Sequence, residues 1–270
     1  MNALKTLTAA NIAGARRTGR LIVYVLLGVS LALLSVATAR WSTEILTALI
    51  GGQADADAVL KLMPPADWPE AWAQWIKNLT QILVLVAVVL AALDAAKATS
   101  SDSARLIATR PVPRAAQVLS GWLSGAVLLV VGTLAGAVVT GVFAKILWPE
   151  AALGSLVTGT AAWFVGALMF TALAALFAIL TKSTAASIGL SIGAYVLVTA
   201  VGGFGLMKNT PLAIMDLATK LANTGAKDAK DAMVGIAPGQ AQVIAVVGGA
   251  MLVTAIALWI ACKVHGKREL

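Results

Sequence analysis

The stretch LIVYVLLGVSLALLSVATA, residues 21–39, carries no charged side chain along its whole length. A transmembrane helix needs about 20 mainly apolar residues to cross about 30 Å of hydrocarbon, so this stretch predicts a membrane span. Five further stretches qualify on the same ground, namely residues 79–93 (expected to begin near Trp75), 115–144, 151–180, 185–206 and 241–262. The sequence therefore predicts an all-α, polytopic membrane protein with six transmembrane helices and short amphipathic helices at the interface and outside.

The composition indicates the same fold class. Hydrophobic residues make up 60% of the 270 residues and charged residues 12%, whereas soluble domains have about 45–50% and about 25%. Most of the apolar residues are Ala, Leu, Val and Gly, which let helix backbones approach closely in lipid. The single cysteine, Cys262, excludes an intramolecular disulfide and a thiolate metal site within one chain.

Basic residues are divided unequally between the two sides that six spans define. With the amino terminus inside, the inner segments hold twelve basic and three acidic residues, whereas the outer segments hold eight and nine. The inner side then has a net charge of +9 and the outer side −1. Because cytoplasmic loops carry an excess of Lys and Arg, the distribution predicts a cell-membrane protein with both termini in the cytoplasm. It also explains the net charge of +8 without a nucleic-acid partner.

The predicted organisation is one membrane domain. Residues 1–20 are expected to form a cytoplasmic amphipathic segment, residues 21–264 the six-helix domain and residues 265–270 a cytoplasmic tail. External loops are expected at 41–77 and 207–240, and a cytoplasmic coupling loop at 94–114. In the first external loop Trp68, Trp72 and Trp75 follow one another at helical spacing. This spacing favours either a packed connecting helix or a helix that lies on the outer leaflet.

Chemistry-bearing side chains are scarce in the predicted spans. No span carries a charge near its middle, and Asp94 lies at the cytoplasmic end of the second. Ion-coupled transporters commonly keep such charges at membrane depth. The triplet from His265 to Lys267 lacks the upstream glycine and the following Ser or Thr of a phosphate-binding loop. The sequence therefore predicts no catalytic, cofactor-binding or metal-ligating residue, and we expect no enzyme activity in this chain.

Glycine pairs spaced by four residues are the candidate sites of close helix contact. They are Gly121 and Gly125, Gly132 and Gly136, and Gly189 and Gly193. This spacing lets two helix backbones approach closely. Each pair predicts either packing within the chain or the seam of a dimer.

The most informative stretch outside the spans is DAAKATSSDSARLIATRPVPR, residues 94–114. Ser100 or Ser101 can cap a short helix, and Pro111 forbids its continuation. A short, capped, basic helix at the inner membrane face is typical of a docking element. Its candidate coupling residues are Ser101, Asp102, Arg105, Arg110, Pro111 and Arg114.

This loop resembles the permeases of the type 2 ATP-binding-cassette (ABC) family. Leu106, Pro111, Val112 and Arg114 match the run that precedes the third span in that family, and Gly121 stands where the family has a Gly-Lys pair. Three features depart from the pattern: Asp94 or Asp102 replaces a Glu, Ser100 and Ser101 replace Gly-Thr, and Trp122 replaces the Lys. The six-span plan also matches, so the resemblance covers essentially the whole chain.

The resemblance implies an ATP-driven transporter whose ATPase is a separate polypeptide. A homodimer, or a heterodimer with a related permease, would bind two ABC ATPase subunits, which hold ATP and Mg²⁺. The helix at 101–110 would sit in an ATPase groove, with Arg105 and Arg110 either paired with acids there or serving only as positive-inside charges. Its relatives imply export of a drug, peptide, lipid or glycolipid. Charge-free spans predict a path between facing spans of the dimer, lined by Ala, Val, Leu, Gly and hydroxyl groups, for an amphipathic compound.

Two other classes remain open from the sequence. A non-transporting, mechanotransmitting ABC subunit would act on an extracytoplasmic partner, which large outer loops would permit. A secondary transporter or channel is disfavoured by the basic loop that ends in Pro-Val-x-Arg, because an uncoupled channel has no need of it. The substrate, the direction of transport and the choice between homodimer and heterodimer are not encoded in these features.

Overall fold

A computed structural model describes residues 2–50, 67–100, 112–181, 183–202, 207–224 and 238–267. Over these residues the protein is 91% helical and contains no strand. Six helical segments are long and apolar enough to cross a membrane: Arg20–Ser42, Trp68–Lys97, Arg114–Leu147, Leu153–Thr181, Thr184–Gly202 and Gln240–Gly266. The chain is an all-α, multi-pass membrane protein, as the sequence predicts.

The described residues form nine α-helices. They are α1 (Asn2–Arg17), α2 (Arg20–Ile50), α3 (Trp68–Asn78), α4 (Val84–Ser100), α5 (Arg114–Leu147), α6 (Leu153–Thr181), α7 (Thr184–Gly202), α8 (Ile214–Ala222) and α9 (Gln240–Gly266). A π-helical segment, Leu79–Leu83, joins α3 and α4. These three pieces therefore make up the second span. A short 3-10 helix, Pro211–Ala213, precedes α8.

The predicted external loop at 41–77 is shorter than expected. Helix α2 bends at Trp41, where φ is −111° and ψ is 15°, and then continues to Ile50. At the other end α3 begins at Trp68, with Asp67 in an extended conformation before it. Trp72, Trp75 and Ile76 are fully buried. Burial of this aromatic face joins residues 68–77 to the second span, so the packed-helix alternative is correct for α3.

Helix α6 forms the centre of the protein. Its most apolar window is 61% buried, compared with 22–39% for the other five spans. It contacts α4, α5, α7, α8 and α9. Small residues permit these contacts: a Cβ atom at Gly159 would lie 2.6 Å from the Cβ of Ala222 in α8. The amphipathic helix α8 therefore packs directly on α6 and covers one end of it.

Helices α2 and α5 cross at three glycines in the membrane interior. A Cβ atom at Gly132 would lie 2.6 Å from the carbonyl oxygen of Tyr24, and one at Gly136 would lie 2.6 Å from that of Gly28. These separations are far shorter than real Cβ contacts. The pair Gly132 and Gly136 therefore serves contact within the chain. The sequence left this choice open.

The charges divide between the two ends of the helices. Among the described residues, the end that holds α1 has eight basic side chains and one acidic side chain, Asp94. The basic residues are Lys5, Arg16, Arg17, Arg20, Lys97, Arg114, Lys263 and Lys267. The opposite end has five basic and five acidic side chains. We call these the basic end and the neutral end.

Replacement of Gly132 by valine is expected to destabilise the protein. The added methyl groups would enter the α2–α5 contact, and overpacking of this kind costs about 1–3 kcal/mol or more. The matched control is Gly248→Val, because a Cβ at Gly248 meets nothing within 4 Å. Unfolding of the purified variants in mixed detergent and dodecyl sulfate measures the difference. Equal stability of the two variants would contradict the close crossing.

Candidate functional site

A cavity at the basic end is the candidate functional site. It lies between α2, α4, α5 and α6 and has a volume of about 40 Å³. Arg20 and Tyr24 of α2 and Asp94 of α4 line it, together with Gln117 and Gly125 of α5. The fourth wall, from α6, contains Thr171, Ala175 and Ile179. The first four spans of the chain thus contribute to one site.

An ion pair closes the side of the cavity between α2 and α4. Nη1 of Arg20 lies 2.6 Å from Oδ1 of Asp94 and donates to Oδ2 at 2.9 Å. The two side chains are 29% and 28% exposed. Adjacent spans run in opposite directions, which places the start of α2 level with the end of α4. The sequence identifies Asp94 but not Arg20, although this antiparallel arrangement is a signal that could have found the partner.

A buried amide forms the next part of the wall. Gln117 is 8% exposed and His265 is 1% exposed. Nε2 of His265 lies 3.3 Å from Oε1 of Gln117. The other polar atom, Nε2 of Gln117, has no hydrogen-bond partner among the described residues. The amide therefore presents an unpaired N–H donor at a site where burial makes such a donor costly.

The deeper part of the cavity is mainly apolar. Ala87 and Ala91 of α4, Ala126 and Leu128 of α5 and Ala175 of α6 line it. Its one hydrogen-bonded polar pair is Trp122 and Thr171, in which Nε1 donates to Oγ1 at 3.2 Å. The wall thus changes from charged and polar near the end of the helices to apolar further in. This cavity lies within one chain, so the path expected between facing spans of a dimer stays a prediction.

The three glycine pairs lie in different surroundings. Gly121 and Gly125 line the cavity, and a Cβ atom at either would meet nothing within 4 Å. Gly132 and Gly136 lie about two and three turns beyond Gly125 on α5, in the close contact with α2. Gly189 and Gly193 lie on an exposed face of α7 and likewise have no neighbour within 4 Å of a built Cβ. Only the middle pair forms a tight contact within the chain.

The predicted docking residues Ser101, Asp102, Arg105, Arg110 and Pro111 lie outside the described residues. Arg114 is the first residue of α5, and its Nη1 donates to the carbonyl oxygen of Gly266 at 3.4 Å. Helix α4 ends at Ser100. The connection that contains the predicted docking helix therefore joins the two helices, α4 and α5, that line opposite parts of the cavity.

Helix α1 lies against the start of α5. Nδ2 of Asn11 donates to Oγ of Ser120 at 3.3 Å, and Ala15 is buried in the main apolar core. The amphipathic amino-terminal segment predicted from the sequence is thus a helix that packs on the protein through one face. Its Arg16 and Arg17 add positive charge at the basic end.

The π-helical segment carries a second polar cluster, which the sequence analysis missed. The hydroxyl of Tyr195 in α7 donates to the carbonyl oxygen of Thr80. The Tyr195 ring meets Phe170 edge to face, with centroids 4.9 Å apart. Nδ2 of Asn78 donates to Oγ of Ser35 at 2.8 Å. The polar residues Asn78, Thr80 and Gln81, which interrupt an apolar run, are the sequence feature that could have indicated this cluster. Segments of π-helix are frequent at functional positions.

Fold and cavity together define a multi-pass membrane protein with a polar cavity at the basic end of its helices. Residues 66–267 match the model of a family described as "Protein of unknown function (DUF2705)". This match covers about three quarters of the chain, and the protein belongs to that family. The matched region contains the cavity walls from α4, α5 and α6 but not Arg20 and Tyr24. No curated protein matches the chain.

A double-mutant cycle of Arg20→Gln and Asp94→Asn tests the ion pair. The Arg20 and Asp94 side chains are less exposed than those of surface ion pairs, which contribute about 0–1 kcal/mol. They are more exposed than those of fully buried pairs. We expect a coupling energy of about 1–2 kcal/mol, within the range for residues in contact. Equilibrium unfolding in mixed detergent and dodecyl sulfate measures it.

The matched control is a cycle on Arg40 and Glu44 at the neutral end. These side chains are 45% and 58% exposed and their charged atoms lie 3.7 Å apart. Their coupling energy is expected to lie close to zero because solvent screens the charges. Equal coupling in the two cycles would mean that the Arg20–Asp94 pair behaves as an ordinary surface contact.

Proposed function

We propose that this protein is the membrane-spanning subunit of an ABC transporter and exports a hydrophobic or amphipathic compound. The observation that carries the proposal is the connection between α4 and α5. Movement of the segment at 101–111 acts directly on both helices and therefore on the cavity between them. The resemblance of residues 106–114 to type 2 ABC permeases supplies the source of that movement, a separate ATPase.

The helices are built to transmit such a movement unequally. Helix α3 is held by the fully buried side chains of Trp72 and Trp75. Helix α4 lies beyond the π-helical segment, where the backbone hydrogen bonds follow a wider and less regular pattern. A force on the end of α4 is expected to bend the second span at Leu79–Leu83 while α3 stays in place. The Arg20–Asp94 pair couples this bending to α2.

The complex that we propose contains two copies of this chain, or one copy with a related permease, and two ATPase subunits with ATP and Mg²⁺. The basic end faces the cytoplasm of the cell because basic residues collect on that side. Gly189 and Gly193 are candidates for the dimer seam, since a Cβ atom at either would meet nothing within 4 Å among the described residues. An amphipathic substrate agrees with spans that carry no charged side chain near their middle, because a small ion requires opposite charge or several oxygen ligands at close range.

The orientation can be tested by cysteine accessibility in intact cells, in a background of Cys262→Ser. Glu150 lies exposed at the neutral end and Lys97 lies exposed at the basic end. We expect Glu150→Cys to react with an impermeant maleimide in intact cells. Lys97→Cys should react only after the membrane is permeabilised. The opposite labelling pattern would place the basic end outside the cell, where a cytoplasmic ATPase could not bind it.

The docking role can be tested with the double variant Arg105→Glu and Arg110→Glu. Charge reversal is expected to abolish co-purification of the ATPase through like-charge repulsion with an acidic groove. A role in docking alone predicts that the elution volume and the unfolding midpoint of the double variant do not change. The matched control is Lys5→Glu with Lys267→Glu, which changes the net charge equally at the same end.

Two outcomes would contradict the proposal. One is wild-type protein that never co-purifies with an ATPase. The other is a docking variant that binds the ATPase and stimulates its turnover as the control does. If ATPase turnover responds to no amphiphile until an extracytoplasmic partner is added, export is wrong and the mechanotransmitting alternative is correct.

A further inference from the structure

The cavity at the basic end lies at the depth of lipid headgroups. Arg20 begins the first span, Asp94 lies three residues before the end of the second, and Gln117 lies three residues after the start of the third. With a rise of about 1.5 Å per residue, these side chains are within about 5 Å of the span ends. Headgroups and their attachment to the acyl chains occupy this layer of a bilayer.

The polarity of the wall changes along the membrane normal. Gly125 lies eight residues beyond Gln117 on α5, which corresponds to about 12 Å along the helix. At that level Ala87, Gly125 and Leu128 line the cavity. A ligand that fits both levels has a polar end near Arg20 and Gln117 and an apolar continuation towards the membrane interior.

Two donors define the polar end of such a ligand. Nε2 of Gln117 has no hydrogen-bond acceptor among the described residues, while its Oε1 faces His265. Both contacts of Arg20 with Asp94 use Nη1, one of three guanidinium nitrogens. A group that accepts several hydrogen bonds and carries negative charge matches an amide N–H and a guanidinium that line the same cavity. A phosphate has this property.

The volume of the cavity limits the size of the group that can bind in it. Its volume of about 40 Å³ accommodates a few water molecules, at about 10–15 Å³ each. Sites for whole drug-sized molecules measure about 300–1,000 Å³. A whole drug-sized molecule therefore does not fit in the cavity, and a small polar group does.

We propose that this cavity binds the phosphate-bearing headgroup of a membrane phospholipid. Gln117 donates from its amide and Arg20 from its guanidinium to phosphate oxygens, and the apolar wall at Gly125 faces the start of the acyl chains. Asp94 holds the Arg20 side chain in place and offsets part of its charge. Binding requires only this chain, so it does not depend on an ATPase or on the function proposed above.

The test uses the purified full-length protein and native mass spectrometry in detergent. Dioleoylphosphatidylethanolamine is the probe, and dioleoylglycerol, which has the same chains without phosphate, is the comparison. Wild type is expected to retain the phospholipid and not the diacylglycerol. Retention of both lipids to the same extent would overturn the proposal, because the phosphate would then make no contribution.

Two variants locate the binding in the cavity. Gln117→Glu keeps an acceptor for His265 but replaces the donor by a carboxylate, and Gly125→Val adds a side chain where a Cβ atom meets nothing within 4 Å. Gln117→Glu is expected to weaken phospholipid retention at least about tenfold, the effect of one lost strong hydrogen bond. Gly125→Val is expected to weaken it because the valine side chain fills the apolar part of the cavity. The matched controls are Gln242→Glu and Gly248→Val on α9, outside the cavity.

The unfolding midpoints of all four variants separate loss of binding from loss of structure. Unchanged retention by both cavity variants would overturn the assignment, as would equal losses in the controls. The source of the phosphate is tested by adding inorganic phosphate in excess. Displacement of the lipid would show that the site selects a soluble anion, whereas no displacement supports a phospholipid.

Discussion

The contact between α2 and α5 at Gly28, Gly132 and Gly136 is the interaction on which the rest of the structure depends. In a bilayer the hydrophobic effect does not drive helices together, so packing contacts decide where they touch. Backbone-to-backbone contact at this level brings Tyr24 against Gly132. Because Tyr24 also lines the cavity, the crossing forms its inner boundary. Between this crossing and the basic end, the same two helices line the cavity from opposite sides.

The sequence was sufficient for the six spans because an uninterrupted apolar run has one stable solution in lipid. The sequence alone did not decide the location of a side chain that is stable in two different environments. Trp72 and Trp75 suit either an interface or a core, and only the surrounding helices decide for the core. The glycine pairs share one spacing, yet their neighbours differ. In the sequence alone, Arg20 indicates only the orientation of the first span. Its ion pair with Asp94 becomes evident only when the two helices lie side by side. The predicted coupling residues from Ser101 to Pro111 lie outside the described residues, so they stay a prediction.

The second span consists of two α-helices that a π-helical segment joins. Helix α3 is anchored among aromatic side chains at the neutral end, while α4 leads to the connection at the basic end. The π-helical segment between them leaves the carbonyl of Thr80 to accept from Tyr195. This hydrogen bond links the irregular turn to α7, the span with the lowest burial in the protein. The irregular turn is thus in direct contact with the helix whose exposed face carries Gly189 and Gly193.

Gly121 and Gly125 line the cavity but are not needed for the close packing of the helices. The fold depends on Gly132 and Gly136 because larger residues would force α2 and α5 apart. It does not depend on the other pair, since a side chain there meets no neighbouring atom within 4 Å of its Cβ. Substitution at Gly121 or Gly125 in this chain can consequently reduce the cavity while the helix arrangement stays constant. The volume of the cavity is thus set by two positions that take no part in the close contact between the helices.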